Sequence, residues 1–287
     1  MLSSLLSRFA EDGPAVHVAP GTVFEIGGFA ITNSIFYGWI TITFVILFFI
    51  WLRRRVTVKP TRGIVQFFEL GIDFITNQVV GAFDDPKKGR KFAPYFVTLF
   101  FFILLNTWLG LLPVVGEGFT AHGDTPIFRP FTGDWNGTFA MALVTMLFVY
   151  TMSIKEAGGP LKFLRHFFVG SPLNPLYFFV GMLEILSDLT RVVSLSIRLF
   201  LNVAIGEMVI AVFAYMGGLA APLTALPFTL IELGVGAIQS YIFVVLGIMY
   251  LAIAVNHSQQ HDADHADAED ITDVNEPDTI KLTPERA

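Results

Sequence analysis

The sequence predicts an all-α, polytopic integral membrane protein: three ordinary transmembrane helices plus an interfacial amphipathic helix and a long, strongly tilted membrane helix hairpin. Three observations carry this. Of 287 residues, 54% are hydrophobic and only 15% charged, with a mean hydropathy of +0.64, where a soluble domain carries about 25% charge. The charges are segregated: nine of the 18 basic residues lie between Arg53 and Lys91, and nine of the 24 acidic residues follow Asn256. Several uncharged apolar runs also approach the roughly 20 residues needed to cross a hydrocarbon core about 30 Å thick. The lack of Cys excludes a disulfide scaffold, a Cys-based zinc site and thiol catalysis.

Residues 1–34 read as an external N-terminal segment. Its Arg8, Glu11, Asp12 and Glu25 fit neither a signal peptide nor an Arg-rich transit peptide, so the chain is expected to begin as translated. Residues 35–55 form transmembrane helix 1, uncharged until Arg53, Arg54 and Arg55 close it. Residues 56–91 form a cytoplasmic segment in which Ile64, Val65, Phe67, Phe68, Leu70 and Ile72 alternate with Gln66, Glu69, Asp73 and Asn77. That pattern predicts an amphipathic helix lying in the interface. Transmembrane helix 2 is assigned to 92–113, ending on Pro113, and an external loop to 114–137, with Glu117, His122, Asp124, Arg129 and Asp134. Transmembrane helix 3 covers 138–155 and runs to Lys155; a cytoplasmic loop, 156–174, carries Lys162 and Arg165. Lys and Arg concentrate on the cytoplasmic side, so the Lys/Arg-poor N-terminus and the 114–137 loop lie outside, a parity that three spans satisfy.

The C-terminal half departs from this pattern. Residues 175–217 contain no internal Pro and no paired Gly before Gly217-Gly218, and forty residues of helix are about 60 Å long, twice a bilayer. Residues 221–256 form a second over-long helix, about 50 Å, joined to the first through Gly217, Gly218, Ala220, Ala221 and Pro222. An ordinary tilt of about 20° cannot absorb that mismatch, so both helices should run strongly oblique. Two broken pairs of ordinary spans are the alternative; against it stands the missing breaker. The acidic tail, 257–287, holds His257, His261 and His265 at helical spacing among Asp262, Asp264 and Asp267. A weak metal site is conceivable there, but the composition favours disorder, and neither a metal nor another cofactor is expected.

On the first long helix, Glu184, Ser187, Arg191, Ser194 and Asn202 all fall within about 40° of Arg198 and form one polar stripe, with Glu207 roughly opposite. On the second, Glu232 and Gln239, seven apart, share a face. An arginine at mid-membrane costs from a few to more than ten kcal/mol and marks ion pathways, proton relays or voltage sensors. The bland reading is an internal salt bridge. It suits Arg191 and Asp188, three residues apart. It suits Arg198 less, because its stripe neighbours Ser194 and Asn202 are neutral and a partner must come from elsewhere.

The segment SLSIRLFLNVAIGE, residues 194–207, resembles the signature around the essential arginine of subunit a of the rotary F-type ATP synthases, the A chain family of the membrane Fo sector. Position by position, Arg198 corresponds to that arginine, Asn202 to an asparagine and Glu207 to an acidic residue downstream. Glu232 and Gln239 resemble the acidic-or-histidine and glutamine pair of the last helix, and Glu184 and Ser187 match polar positions upstream. The resemblance extends to IGG and NS before the first span, to NTWLGLLP at 106–113 and to TGDWNGTFAMAL at 132–143. Leu201 departs from the small residue common there, and Asp188 adds a charge beside the stripe.

The resemblance implies a subunit that is not an enzyme on its own. It would conduct protons through two offset half-channels that meet a rotating c-ring and so couple proton flow to ATP synthesis. Glu207, Glu232, Gln239 and Asn202 would serve the inlet, Glu184, Ser187 and secondarily Asp188 the outlet, with Arg198 between them; Arg191 is a secondary candidate. The implied partners are the c-ring, peripheral-stalk b subunits, the F1 sector indirectly and membrane lipids, with H+ or Na+ as the translocated ion and no nucleic acid. The expected location is the bacterial inner (plasma) membrane, or the mitochondrial inner membrane if organelle-encoded. Glu207 and Glu232, if close, would repel when both are ionised, which suits a relay. The competing class is a stand-alone transporter or channel, which would show internal repeats or midplane broken helices; neither is evident. A voltage sensor needs Arg repeated at three-residue intervals, and isolated His17, His122 and His166 offer no hydrolase set.

Overall fold

The computed structural model describes residues 21–26, 29–55, 63–112, 120–121, 125–126, 129–156, 159 and 175–274. Readings on Glu117, His122, Asp124, Lys162, Arg165 and residues 275–287, and on the side chains of Glu184 and the tail histidines, lie outside the described residues. In chain order the elements are β1 (Thr22–Ile26), β2 (Phe29–Thr32), α1 (Asn33–Arg55), α2 (Ile64–Gly81), α3 (Pro86–Gly110), β3 (Thr120–Ala121), β4 (Thr125–Pro126), a 3-10 turn (Phe131–Gly133), α4 (Trp135–Glu156), α5 (Pro175–Gly217), a second 3-10 turn (Gly218–Ala220) and α6 (Ala221–Val274). β1 and β2 pair antiparallel, with Thr22 opposite Thr32, and deliver the chain to α1.

Five helices are long and apolar enough to cross a membrane: α1, α3, α4, α5 over Leu186–Gly217 and α6 over Ala221–Asn256. The chain is an all-α, multi-pass membrane protein. α5 runs 43 residues without a break, about 64 Å at the α-helical rise.

Two boundaries differ from the sequence reading by more than three residues. α3 begins at Pro86, not residue 92, because Asp85 caps it, accepting from the Lys87 amide at 2.9 Å, with proline at the first helical position. Lys88 and Lys91, thereby drawn into the helix, reach Glu156 at the end of α4 at 3.1 and 2.7 Å. The start of α3 and the end of α4 thus lie side by side. α6 continues to Val274, so the tail expected to be disordered from 257 is helical over 257–274. Once the membrane portion supplies a nucleus, each added residue needs only one further hydrogen bond, and the next proline is Pro277.

α2 is amphipathic as expected, but its apolar residues point two ways. Phe68, Ile75 and Val79 are buried, and Phe68 stacks with Phe101 of α3, while Ile64, Phe67, Leu70 and Phe74 are exposed. α3 and α6 are the shared walls of the core. One cluster joins Ile75 and Val79 to Phe92, Phe96, Val149, Val244, Ile248 and Leu251. A second joins Ile103 and Met146 to Val192, Leu195, Leu199 and Phe243. A third closes α1 onto α3 through Val45, Leu52, Phe101 and Leu104. Between membrane helices such contacts hold by close packing rather than by water exclusion.

Candidate functional site

α5 has two unlike faces. Val192, Leu195, Ser196, Leu199 and Val203 are buried against α4 and α6, at the spacing of one helical stripe. The other side carries exposed Leu186, Leu189, Ile197, Leu201, Ile205 and Met208. Only 17% of the apolar portion of α5 is buried, against 50% for α3 and for α6. Arg198 lies on the uncovered side, in a shallow depression lined by Leu189, Thr190, Val193, Ser194 and Ile197. Among the described residues it has no carboxylate partner. Thr190 spends its hydroxyl on the Ser187 carbonyl, 2.7 Å away, and the side chains that line the depression around the guanidinium are uncharged.

α5 and α6 run antiparallel. Their register is fixed by Thr224 Oγ1 donating to the Phe213 carbonyl at 2.8 Å and by the stacked rings of Phe213 and Phe228, 3.7 Å apart. In that register Glu232 packs on Gly206, where a Cβ would run into its carboxyl group. Glu207, one residue on, points to the other side. A Cβ on Gly133 would stand 3.3 Å from Glu207 Oε1, so the carboxyl group rests on the backbone of the first 3-10 turn. Glu207 and Glu232 are within electrostatic reach of each other, and Arg129 acts on Glu207 from the loop. The Arg129 side chain is buried and donates through Nη2 to the Gly133 carbonyl at 3.1 Å.

Behind this pair lies a row of buried polar atoms. Among the described residues, Asn106 Nδ2, Thr107 Oγ1, Asn202 Nδ2, Glu232 Oε1 and Gln239 Nε2 have no hydrogen-bond partner, a costly state away from water. Around them α3, the first 3-10 turn and α6 meet: Thr132 Oγ1 donates to Asn106 Oδ1 at 3.5 Å, Trp108 Nε1 donates to the Leu233 carbonyl at 3.0 Å, and a Cβ on Gly236 would run into Thr107. The α5–α6 register sets Gln239 opposite the turn from Leu199 to Asn202. These five groups, the Glu207 carboxyl and the buried Arg129 guanidinium form a wettable seam, whose member Asn202 lies one helical turn from Arg198.

At the other end Asp188 and Arg191 pair, Nη1 to Oδ1, at 2.7 Å. Asp188 also accepts a short hydrogen bond from the Tyr150 hydroxyl of α4, and the Arg191 guanidinium lies 5.0 Å over the ring of Tyr250. Ser187 is half-buried. The backbone of Glu184 continues α5.

The sequence profile described as "ATP synthase A chain" matches residues 35–252, a stretch that contains every group named in this seam, all of α5 and α6 as far as residue 252. The chain belongs to the ATP synthase A chain family. It is similar to ATP synthase subunit a of Trichlorobacter lovleyi, 32% identical over 225 residues covering 77% of this chain and 86% of the relative. It is similar also to that of Gluconacetobacter diazotrophicus, 38% identical over 205 residues, 66% and 74%. Against ATP synthase subunit a 2 of Chlorobaculum tepidum it is 31% identical over 222 residues, 73% of this chain, and spans 58% of that longer relative.

In this A chain family member Glu207 and Glu232 act on each other, Asn202 and Gln239 keep buried amides on the two facing helices, and Asp188 and Arg191 form their own ion pair. Sequence reasoning did not find Arg129, Asn106, Thr107 or Thr132. An Asn-Thr pair inside an otherwise apolar span was the available signal for two of them. Arg129 gave none, since its burial depends on the loop folding back over α5.

Proposed function

We propose that this chain is the ion-translocating stator subunit of an F-type ATP synthase, passing protons between two half-channels by way of a rotating c-ring. ATP chemistry belongs to the F1 sector, which the chain meets indirectly, and b subunits hold it against rotation. The observation that carries the reading is the exposed, unpartnered Arg198 at the centre of a bare helix face. Such a face suits a partner that slides past, and a lone guanidinium in hydrocarbon suits a moving carboxylate. The seam of Glu207, Glu232, Gln239 and Asn202 serves the external inlet. Glu184 and Ser187 serve the cytoplasmic outlet, and Asp188, tied to Arg191 and Tyr150, is secondary to them. With the Lys88, Lys91 and Glu156 cluster on the cytoplasmic side, α5 starts inside and lies strongly tilted, and the membrane is the bacterial plasma membrane.

The magnitudes are compatible with turnover. At 4 Å and an effective dielectric of 20, Arg198 attracts a ring carboxylate by about 4 kcal/mol, while a proton crossing 100 mV supplies about 2.3 kcal/mol. The pair is strong enough to hold an ionised ring site and weak enough for the driving force to move it on. Arginine keeps its charge in apolar surroundings where lysine loses it, so ions cannot slip between the half-channels.

Arg198→Ala should abolish ATP-driven proton pumping in inverted membrane vesicles while the complex still assembles. Normal pumping by an assembled Arg198→Ala complex overturns the assignment.

A further inference from the structure

Arg191 lies seven residues before Arg198, two turns and about 10.5 Å along the same face of α5, with 42% of its side chain exposed. It is therefore a second cation on the row that meets the rotor, yet it is not equivalent to the first. Asp188, with its side chain 14% exposed, holds Arg191 Nη1 at 2.7 Å. Tyr150 fixes Asp188 from α4, and Tyr250 of α6 offers its ring to the guanidinium. Three helices thus converge on one positive charge. Arg198 receives no such treatment.

We propose that Asp188 is a positioning residue whose task is to cancel the charge of Arg191, so that a passing ring carboxylate meets one attractive centre and not two. The inference rests on the ion-translocating reading above. If Arg191 were unneutralised, a carboxylate leaving Arg198 would meet a second trap toward the outlet and dwell there before the next site could arrive. Tyr150 contributes by holding Asp188 in the one orientation that keeps both carboxyl oxygens occupied. The ion pair also explains an otherwise odd expenditure of a buried carboxylate. Asp188 turns one oxygen to Arg191 and the other to Tyr150, so its charge is held against the cation.

The test is a charge-cancellation cycle in the intact ATP synthase, reconstituted in vesicles and read as ATP-driven pumping and acid-bath ATP synthesis, with assembly checked by subunit recovery. Asp188→Asn should slow both directions about tenfold. The double variant Asp188→Asn with Arg191→Gln should regain most of the lost rate, because both charges are then gone. A purely structural tie predicts the opposite, since the double variant loses the Asp188–Arg191 bond as completely as the single one. Unchanged rates in Asp188→Asn, or a double variant no faster than the single, overturn the proposal. Should Asp188→Asn fail to assemble, the double variant decides alone: near-native pumping supports the proposal and failure to pump sinks it. Arg198→Ala run in parallel separates the two readings. A pumping Arg198→Ala removes the ion-translocating assignment, whereas an inert Arg198→Ala beside a normal Asp188→Asn removes only this inference.

Discussion

Gly206→Ala isolates the contact between α5 and α6 that sets Glu232. The added methyl would occupy space now filled by the Glu232 carboxyl group, which must withdraw by more than about 1 Å to reach ordinary van der Waals distance. The fold itself loses little. Gly to Ala inside a helix gains about 1 kcal/mol, and a rigid overlap costs about 1–3 kcal/mol, a cost that a half-buried glutamate lowers by swinging its free end. On the inlet role proposed for Glu232, function should respond far more, because displacing a reacting group by about 1 Å can cost 100-fold. The expected result is full assembly with ATP-driven pumping reduced ten- to one-hundred-fold. Gly234→Ala is the control, since nothing lies within 4 Å of a Cβ there, and it should pump normally. Paired measurement of acridine-dye quenching and subunit recovery in vesicles decides the matter. Equal pumping by the two alanine variants would refute the placement of Glu232 against Gly206.

The other two predictions concern the cap and the bare face. Asp85→Ala removes the side-chain acceptor at the start of α3 and should cost about 1 kcal/mol locally, seen as roughly fivefold faster amide exchange at Lys87 with pumping unaltered; unchanged exchange would mean the cap is idle. Single cysteines at Thr190, Ser194, Ile197, Leu201 and Ile205 should cross-link to the rotor ring, while cysteines at Leu195 and Leu199, both buried, should not. The reverse pattern would mean that α5 turns its other side to the rotor.

What the sequence made legible follows from the range of the interactions involved. The spans are written locally as apolar runs, and the absence of a breaker between 175 and 217 foretold the single long α5. The stripe through Arg198 follows from helical periodicity, as does the pairing of Arg191 with Asp188 three residues away. The start of α3 was misplaced because charge was weighed above the Asp85-Pro86 cap signal. The helical continuation past 257 was missed because composition describes an isolated segment, not one attached to a formed helix. The β1–β2 hairpin was missed because its segment was read for its charges and its resemblance and not for strand alternation. The seam depends on contacts between distant elements: Gly133 meets Glu207, Thr132 meets Asn106, and Arg129 meets both the turn and the carboxyl group. No periodicity in one segment encodes those meetings.

The uncovered side of α5 has a consequence for how cells make this chain. An orphan copy in a bilayer would hold Arg198 against acyl tails, at a cost of at least a few kcal/mol, relieved only by local thinning or by water drawn into the membrane. That defect would leak current and label the unaccompanied subunit for membrane proteases. On the proposed function, synthesis in excess of a rotor ring is therefore a hazard, and the order of biogenesis should deliver the ring first.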